Sequence, residues 1–214
     1  MGRLVEALSP EYGFDVSGAI DSANAADEGA WVQADVAVDF SIAGAVPGNV
    51  RRLSERAIPI VLGTTGWQTH EQEVRATVAR HETGVVAAPN FALGVTLFIA
   101  LAERTGALLA PRAEFGAWIH ELHHSTKRDA PSGTTLALEK ALRTAGYTHA
   151  IDVASTRAGA IPGTHTIGFD AAAETITLTH TTRDRSAFAR GALEAARWIQ
   201  GRKGWFTMRD VIGI

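Results

Sequence analysis

The chain has 214 residues, 46% of them hydrophobic and 20% charged, enough to bury a sizeable core in one large domain or two small ones. A formal net charge of -3 offers no basic stripe for nucleic acid, and the absence of cysteine excludes disulfides, thiolate catalysis and cysteine-ligated zinc. With neither a long apolar run nor a charged-then-apolar leader, a cytoplasmic protein is expected.

In chain order, residues 3–9 predict a helix that stops at Ser9-Pro10, and residues 14–21 (Phe-Asp-Val-Ser-Gly-Ala-Ile-Asp) a strand. Residues 34–40 are a second strand, followed by a helix over 45–56 and a buried strand over 58–63. A helix near 69–81 leads to the apolar run 84–88. This alternation is the βαβ rhythm of a parallel, doubly wound sheet.

From residue 93 the pattern changes. A long apolar helix over 94–109 precedes a strand over 113–123 rich in aromatic and branched residues. A helix after Thr134 is followed by strands at 151–157, 164–171 and 173–182, the last two reading as a hairpin. A final helix over 186–200 and the run Trp205-Phe206-Thr207-Met208 close the chain. The expected architecture is α/β: a Rossmann-like domain (1–92 and 186–214) and an inserted α+β domain (93–185) with a mainly antiparallel or mixed sheet.

The densest chemistry lies in residues 121–134, Glu-Leu-His-His-Ser-Thr-Lys-Arg-Asp-Ala-Pro-Ser-Gly-Thr. His123 and His124 exchange protons near neutral pH, and Lys127 supplies positive charge. Ser132-Gly133-Thr134 reads as a turn opening a helix, whose first N–H groups bind carboxylates. Taken singly, a His-His pair or a Lys-Arg-Asp cluster is ordinary solvated surface; together they point to an anionic substrate. Glu121, His123 and His124 are possible metal ligands. Helical ligands sit at i, i+4 and adjacent strand residues face opposite ways, however, so no metal is expected.

The run Glu-Leu-His-His-x-x-Lys-x-Asp-Ala-Pro-Ser-Gly-Thr resembles the signature of the 4-hydroxy-tetrahydrodipicolinate reductase (dihydrodipicolinate reductase) family. The resemblance continues in Val38-Asp39-Phe40-Ser41, Gly63-Thr64-Thr65-Gly66-Trp67, Ala88-Pro89-Asn90-Phe91, residues 157–165 and residues 186–192, and so spans nearly the whole chain. It implies reduction of a cyclic dicarboxylate by NADH or NADPH in lysine and diaminopimelate biosynthesis, by a homotetramer assembled through the second domain's sheet. It further implies His123 as proton donor, Lys127 as the second catalytic group, and His124, Ser132, Gly133 and Thr134 as substrate-binding. Arg157 and Arg185 read as structural or as carboxylate contacts.

For the cofactor, Asp21 is expected at a strand end to accept from the ribose hydroxyls, although an Asp there reads equally as a turn residue. Ser22 stands where many relatives carry an arginine able to pair with a 2′-phosphate, which favours NADH. In the family, the counterparts of Gly63, Thr64 and Thr65 line the nicotinamide ribose, and Ala88, Pro89, Asn90 and Phe91 occupy the equivalent place one unit later. Without the resemblance both runs are equally plain turns. Ala92 replaces a common Ser.

Family members carry Gly-x-x-Gly-x-Met-Gly-Arg in the phosphate loop, of which only the tail, Met1, Gly2 and Arg3, is matched. The expected sheet therefore lacks its first strand, an internal methionine taken as the start being the simplest account, and an unstable or weakly cofactor-binding chain is the expected consequence. Two other readings stand beside the reductase: another NAD(P)-dependent amino-acid or keto-acid dehydrogenase, and a non-catalytic remnant.

Overall fold

A computed structural model describes residues 1–214, which divide into two compact units: residues 1–93 with 186–214, and residues 94–185.

In the first unit, β1 (Ala37–Asp39), β2 (Ile60–Leu62), β3 (Gly84–Ala87) and β8 (Gly204–Phe206) form a parallel sheet in that order. Ile60, Val61 and Leu62 are all buried, as befits a central parallel strand covered on both faces. One face packs on α2 (Val46–Glu55) and α3 (Glu71–Arg80) through Val46, Val50, Leu53, Val74 and Val78. The other packs on α6 (Ser186–Ile199), which presents Ala192, Ala195, Ala196 and Ile199 to Val61 and Val86. The small side chains of α6 bring helix and sheet close, and α1 (Gly2–Leu8) lies outside it, Val5 against Ala189 and Leu193. At Gly191 the approach is backbone to backbone: a Cβ there would stand 1.7 Å from the Phe91 carbonyl oxygen.

The strand expected over 14–21 does not form. Residues 14–20 run without regular structure, and residues 15–22 are exposed. A strand is stable only in a ladder that satisfies its N–H and C=O groups, and no neighbouring strand pairs with this segment. The two strands expected on either side of the 45–56 helix shorten to three residues each.

The second unit is built on a mixed sheet ordered β5 (Ile151–Arg157), β4 (Gly116–His123), β6 (Gly163–Ala171), β7 (Glu174–Thr182). β4 runs parallel to β5 and antiparallel to β6, and β6–β7 is a hairpin. On β4, Ala117, Ile119, Glu121 and His123 all face inward. The first two join a core with Phe98 and Ala102 of α4 (Leu93–Leu109), Leu138 and Leu142 of α5 (Gly133–Thr144), Ile167 and Phe169. The short helix α7 (Met208–Ile212) closes the chain with a Thr207/Asp210 capping box.

Candidate active site

The signature begins on β4, crosses a loop and ends on α5. Strand alternation sends Glu121 and His123 inward and leaves His124, past the strand end, exposed, its Nδ1 2.6 Å from Thr126 Oγ1. Ser132 takes extended dihedrals (φ -70°, ψ 158°) as the N-cap of α5, and its hydroxyl accepts from the Thr135 N–H at 3.2 Å. The N–H groups of Gly133 and Thr134 are then left without intrahelical acceptors at the positive end of the helix. A Cβ at Gly133 would meet nothing within 4 Å, so the backbone is open to a ligand there.

Behind this turn lies a polar centre that the residue-by-residue reading did not find. Glu121 is wholly buried, and its oxygens accept from the Ser132 N–H (3.0 and 3.1 Å), the Thr135 hydroxyl (2.5 Å), the Ser155 hydroxyl (2.8 Å) and the Arg157 guanidinium (2.5 Å). Burial disfavours the carboxylate, but these donors together outweigh it and hold its pKa far below the ordinary value. His165 stands opposite Glu121 in the β4–β6 register, with Nε2 3.0 Å from Ser132 Oγ.

His123 is 8% exposed; its Nδ1 is buried without a hydrogen-bond partner, 4.0 Å from Glu121 Oε2, and its ring meets that of His165 edge-on at 5.1 Å. Burial lowers the His123 pKa and the Glu121 charge partly restores it, which makes its imidazolium a readier acid. Lys127 bonds Asp129 at 2.7 Å, and this pair, with the Asp129 side chain 58% exposed, is screened and easily redirected.

The three expected metal-ligand candidates are not brought together: Glu121, His123 and His165 offer atoms within 4.8 Å of one another, while His124 points elsewhere. Glu121 is already saturated by hydrogen donors and carries a guanidinium at its side, so a dication there would have to displace both.

His165 supplies a pH test. Burial, reinforced by the neighbouring His123, lowers its pKa from 6.5 to about 4. Between those values the unfolded chain binds the proton and the folded chain does not, so stability rises with pH and is lost as pH falls from 6.5 to 4. The loss from His165 approaches about 3 kcal/mol at the acid end. His123 and His180, also lowered by burial, act in the same direction, and Glu121 adds its own loss below the ordinary carboxylate range. Urea melts across this range should show the decline, with a shallower slope for His165→Gln; an equal slope would remove His165 as its source.

In the first unit, Gly63 follows β2, and a Cβ there would lie 2.2 Å from the Phe40 ring. Thr64 is buried, its hydroxyl donating to Asp39 Oδ1 at 2.7 Å, and Thr65 is exposed. Asp39 is itself a buried hub, accepting also from Ser41 and Asn49. Thr64, Ala88 and Pro89 line a cleft of about 170 Å³ with Trp67, Trp205 and Arg75, at the carboxyl ends of the parallel strands where α/β ligands bind. Asn90 turns inward on its own loop, its Oδ1 accepting from the Ala92 N–H. Phe91 is 1% exposed and packs edge-on against Phe40, so its side chain is part of the core. Asp21 does not end a strand: its Oδ1 accepts from the Ala23 N–H in an exposed local turn. Met1 caps α1 and Gly2 is exposed.

Comparison with known proteins joins these observations. Two family models match, "Dihydrodipicolinate reductase, N-terminus" over residues 1–91 and "Dihydrodipicolinate reductase, C-terminus" over 94–212. The chain is 40% identical over 239 residues to the 4-hydroxy-tetrahydrodipicolinate reductase of Acidiphilium cryptum, covering 100% of this chain and 94% of that protein. With the protein of the same name from Rhodopseudomonas palustris it shares 36% identity over 257 residues, again 100% and 94%. Among solved structures, a dipicolinate-bound dihydrodipicolinate reductase from Paenisporosarcina sp. TG-14 superposes with a TM-score of 0.75 at 19% identity, covering 97% of this chain and 95% of that one.

Proposed function

The chain belongs to the dihydrodipicolinate reductase family, and we propose that it carries out the reaction its relatives are named for, the NAD(P)H-dependent reduction of 4-hydroxy-tetrahydrodipicolinate in lysine and diaminopimelate biosynthesis. The observation that carries this reading is the juxtaposition along one segment of a buried imidazole, an ammonium and an open helix N-terminus, a set suited to a cyclic dicarboxylate. A different dehydrogenase has no need of the dicarboxylate turn, and relatives named for the reductase along the whole chain disfavour both it and a non-catalytic remnant.

In this reading the nicotinamide supplies a hydride. Thr64, Thr65, Ala88 and Pro89, at the carboxyl ends of β2 and β3, would hold it beside the cleft, with Gly63 and Asn90 shaping the two loops and Met1 and Gly2 at the start of α1, while Asp21, in its exposed turn, loses the strand-end position that suggested a ribose contact. The residues fit such a group in that the cleft is walled by aromatic side chains and opens at the strand ends. The Gly133 and Thr134 N–H groups, beside the Thr135 N–H that Ser132 caps and with His124 at the rim, hold one substrate carboxylate. Lys127 leaves Asp129 to neutralise negative charge on the substrate. His123 delivers the proton to the enamine carbon. NADH is the favoured donor, since Ser22 brings no cation for a 2′-phosphate.

No helix of the chain is long and apolar enough to cross a membrane. A homotetramer assembled through the second unit's sheet belongs to the same reading, and β7, an edge strand with mostly exposed side chains, offers the surface for it.

The direct test follows loss of NADH and of NADPH absorbance with 4-hydroxy-tetrahydrodipicolinate, alongside calorimetric binding of dipicolinate. Consumption with NADH preferred, and a dipicolinate Kd weakened about tenfold by Lys127→Ala, are expected from the loss of one charged contact. Failure to consume either nucleotide, with no binding of dipicolinate, would end the reading.

A further inference from the structure

The donors that surround Glu121 are not scattered core groups. Two of them, the Ser132 N–H and the Thr135 hydroxyl, belong to the cap and first turn of α5, the segment whose next free N–H groups are those of Gly133 and Thr134. A third, Arg157, reaches Glu121 from β5 with one guanidinium nitrogen and with the same nitrogen donates to the Asp129 carbonyl at 2.6 Å, which ties the preceding loop to the same centre. Ser155 donates from the same strand, and His165, across the sheet on β6, contacts the Ser132 hydroxyl. The loop from Asp129 to Ser132 is thus fastened at both ends to one carboxylate.

A buried carboxylate is costly unless paired and hydrogen-bonded, and the inward positions two and four residues earlier on β4 are the apolar Ile119 and Ala117. An apolar residue at 121 would satisfy the core but would leave the Ser132 N–H without an acceptor and the turn without an anchor.

We propose that Glu121 is a positioning residue for the substrate: by holding Ser132, Thr135 and, through Arg157, Asp129, it sets the Gly133 and Thr134 N–H groups and the Lys127 loop in the geometry that receives a carboxylate. This rests on the reductase reading above and names what pre-organises its substrate turn. Ordering the turn before the ligand arrives removes an entropic cost from binding. Glu121 touches neither substrate nor cofactor in this account, and its main effect is therefore on affinity, beside the charge it presents to His123 4.0 Å away.

The test is Glu121→Gln, which keeps volume but removes the charge and replaces one accepting oxygen by a donor facing other donors. Dipicolinate binding by calorimetry should weaken about tenfold or more, as expected for loss of charged hydrogen bonds. In the assay, KM for the dicarboxylate should rise by a similar factor, and any change in kcat should come through His123, which loses a neighbouring negative charge, as a shift of the kcat–pH profile to lower pH; general destabilisation would produce neither. Should Glu121→Gln fail to fold, Thr135→Val removes one anchor alone and should weaken dipicolinate about threefold. Wild-type chain that binds dipicolinate while the folded variants bind it equally well would overturn this proposal and leave the reductase reading standing. Wild-type chain that neither binds dipicolinate nor consumes NADH or NADPH with the substrate would overturn the reading and the proposal together.

Discussion

His123→Gln is expected to lower turnover by about 10²-fold or more, the usual contribution of a positioned general acid, while dipicolinate and NADH affinities change little. Glutamine keeps a polar, planar side chain of similar reach in a site that is 8% exposed, but it has no proton to give near neutral pH. The separation of rate from affinity follows from where the groups sit. The carboxylate turn is held by Glu121, Arg157 and His165, none of which depends on His123 for a hydrogen bond. Single-turnover kinetics with bound nucleotide, set beside calorimetry, would measure both quantities. Unchanged turnover would remove His123 from the mechanism, and a matched loss of dipicolinate affinity would make it a binding group instead.

Gly191→Ala is expected to destabilise the first unit by about 3 kcal/mol or more, because one added methyl group must enter space held by a backbone carbonyl. The Phe91 oxygen lies 1.7 Å from the added Cβ, and neither α6 nor the segment ending in buried Phe91 and Ala92 has a flexible side chain to move aside. Against a typical total stability of about 5–15 kcal/mol, such a loss is large. The same substitution at Gly48, in the first turn of α2 with nothing within 4 Å of its Cβ, should stabilise by up to about 0.5 kcal/mol. Opposite signs for one chemical change are the content of this prediction, and thermal melts of the two variants read it directly. Equal shifts would mean that helix propensity and not packing governs both sites.

The contrast between these glycines was not legible in the sequence, where both simply fall within helical patterns. What distinguishes them is the approach of residues 91–93 to α6 across about a hundred positions of chain. The expected strand at residues 14–21 failed for a related reason: alternation and β-branched content describe a segment willing to pair, but pairing needs a neighbour. Phe91 shows the same gap, since its motif marks a loop at the carboxyl end of a strand and says nothing of which side chains in it turn into the core. Glu121 was partly within reach. Its place two residues before His123 on a strand with Ala117 and Ile119 puts a carboxylate on the buried face, and a buried carboxylate demands donors.

The sequence by itself determined the alternation of helices and strands, the point near residue 93 where one pattern gives way to another, the cap at Ser132 and the segment from Glu121 to Thr134 in which the chemistry lies. These follow from periodicity and local residue chemistry, which act over a few positions and are written in neighbouring letters. Only the tertiary structure decided that Glu121 is served by Ser155 and Arg157, 34 and 36 positions away, and that Ser132 meets His165, 33 positions away. Those partners are set by the register of β4 against β5 and β6, and register is a property of strands laid side by side, fixed by burial of one whole face and not by any single stretch of chain.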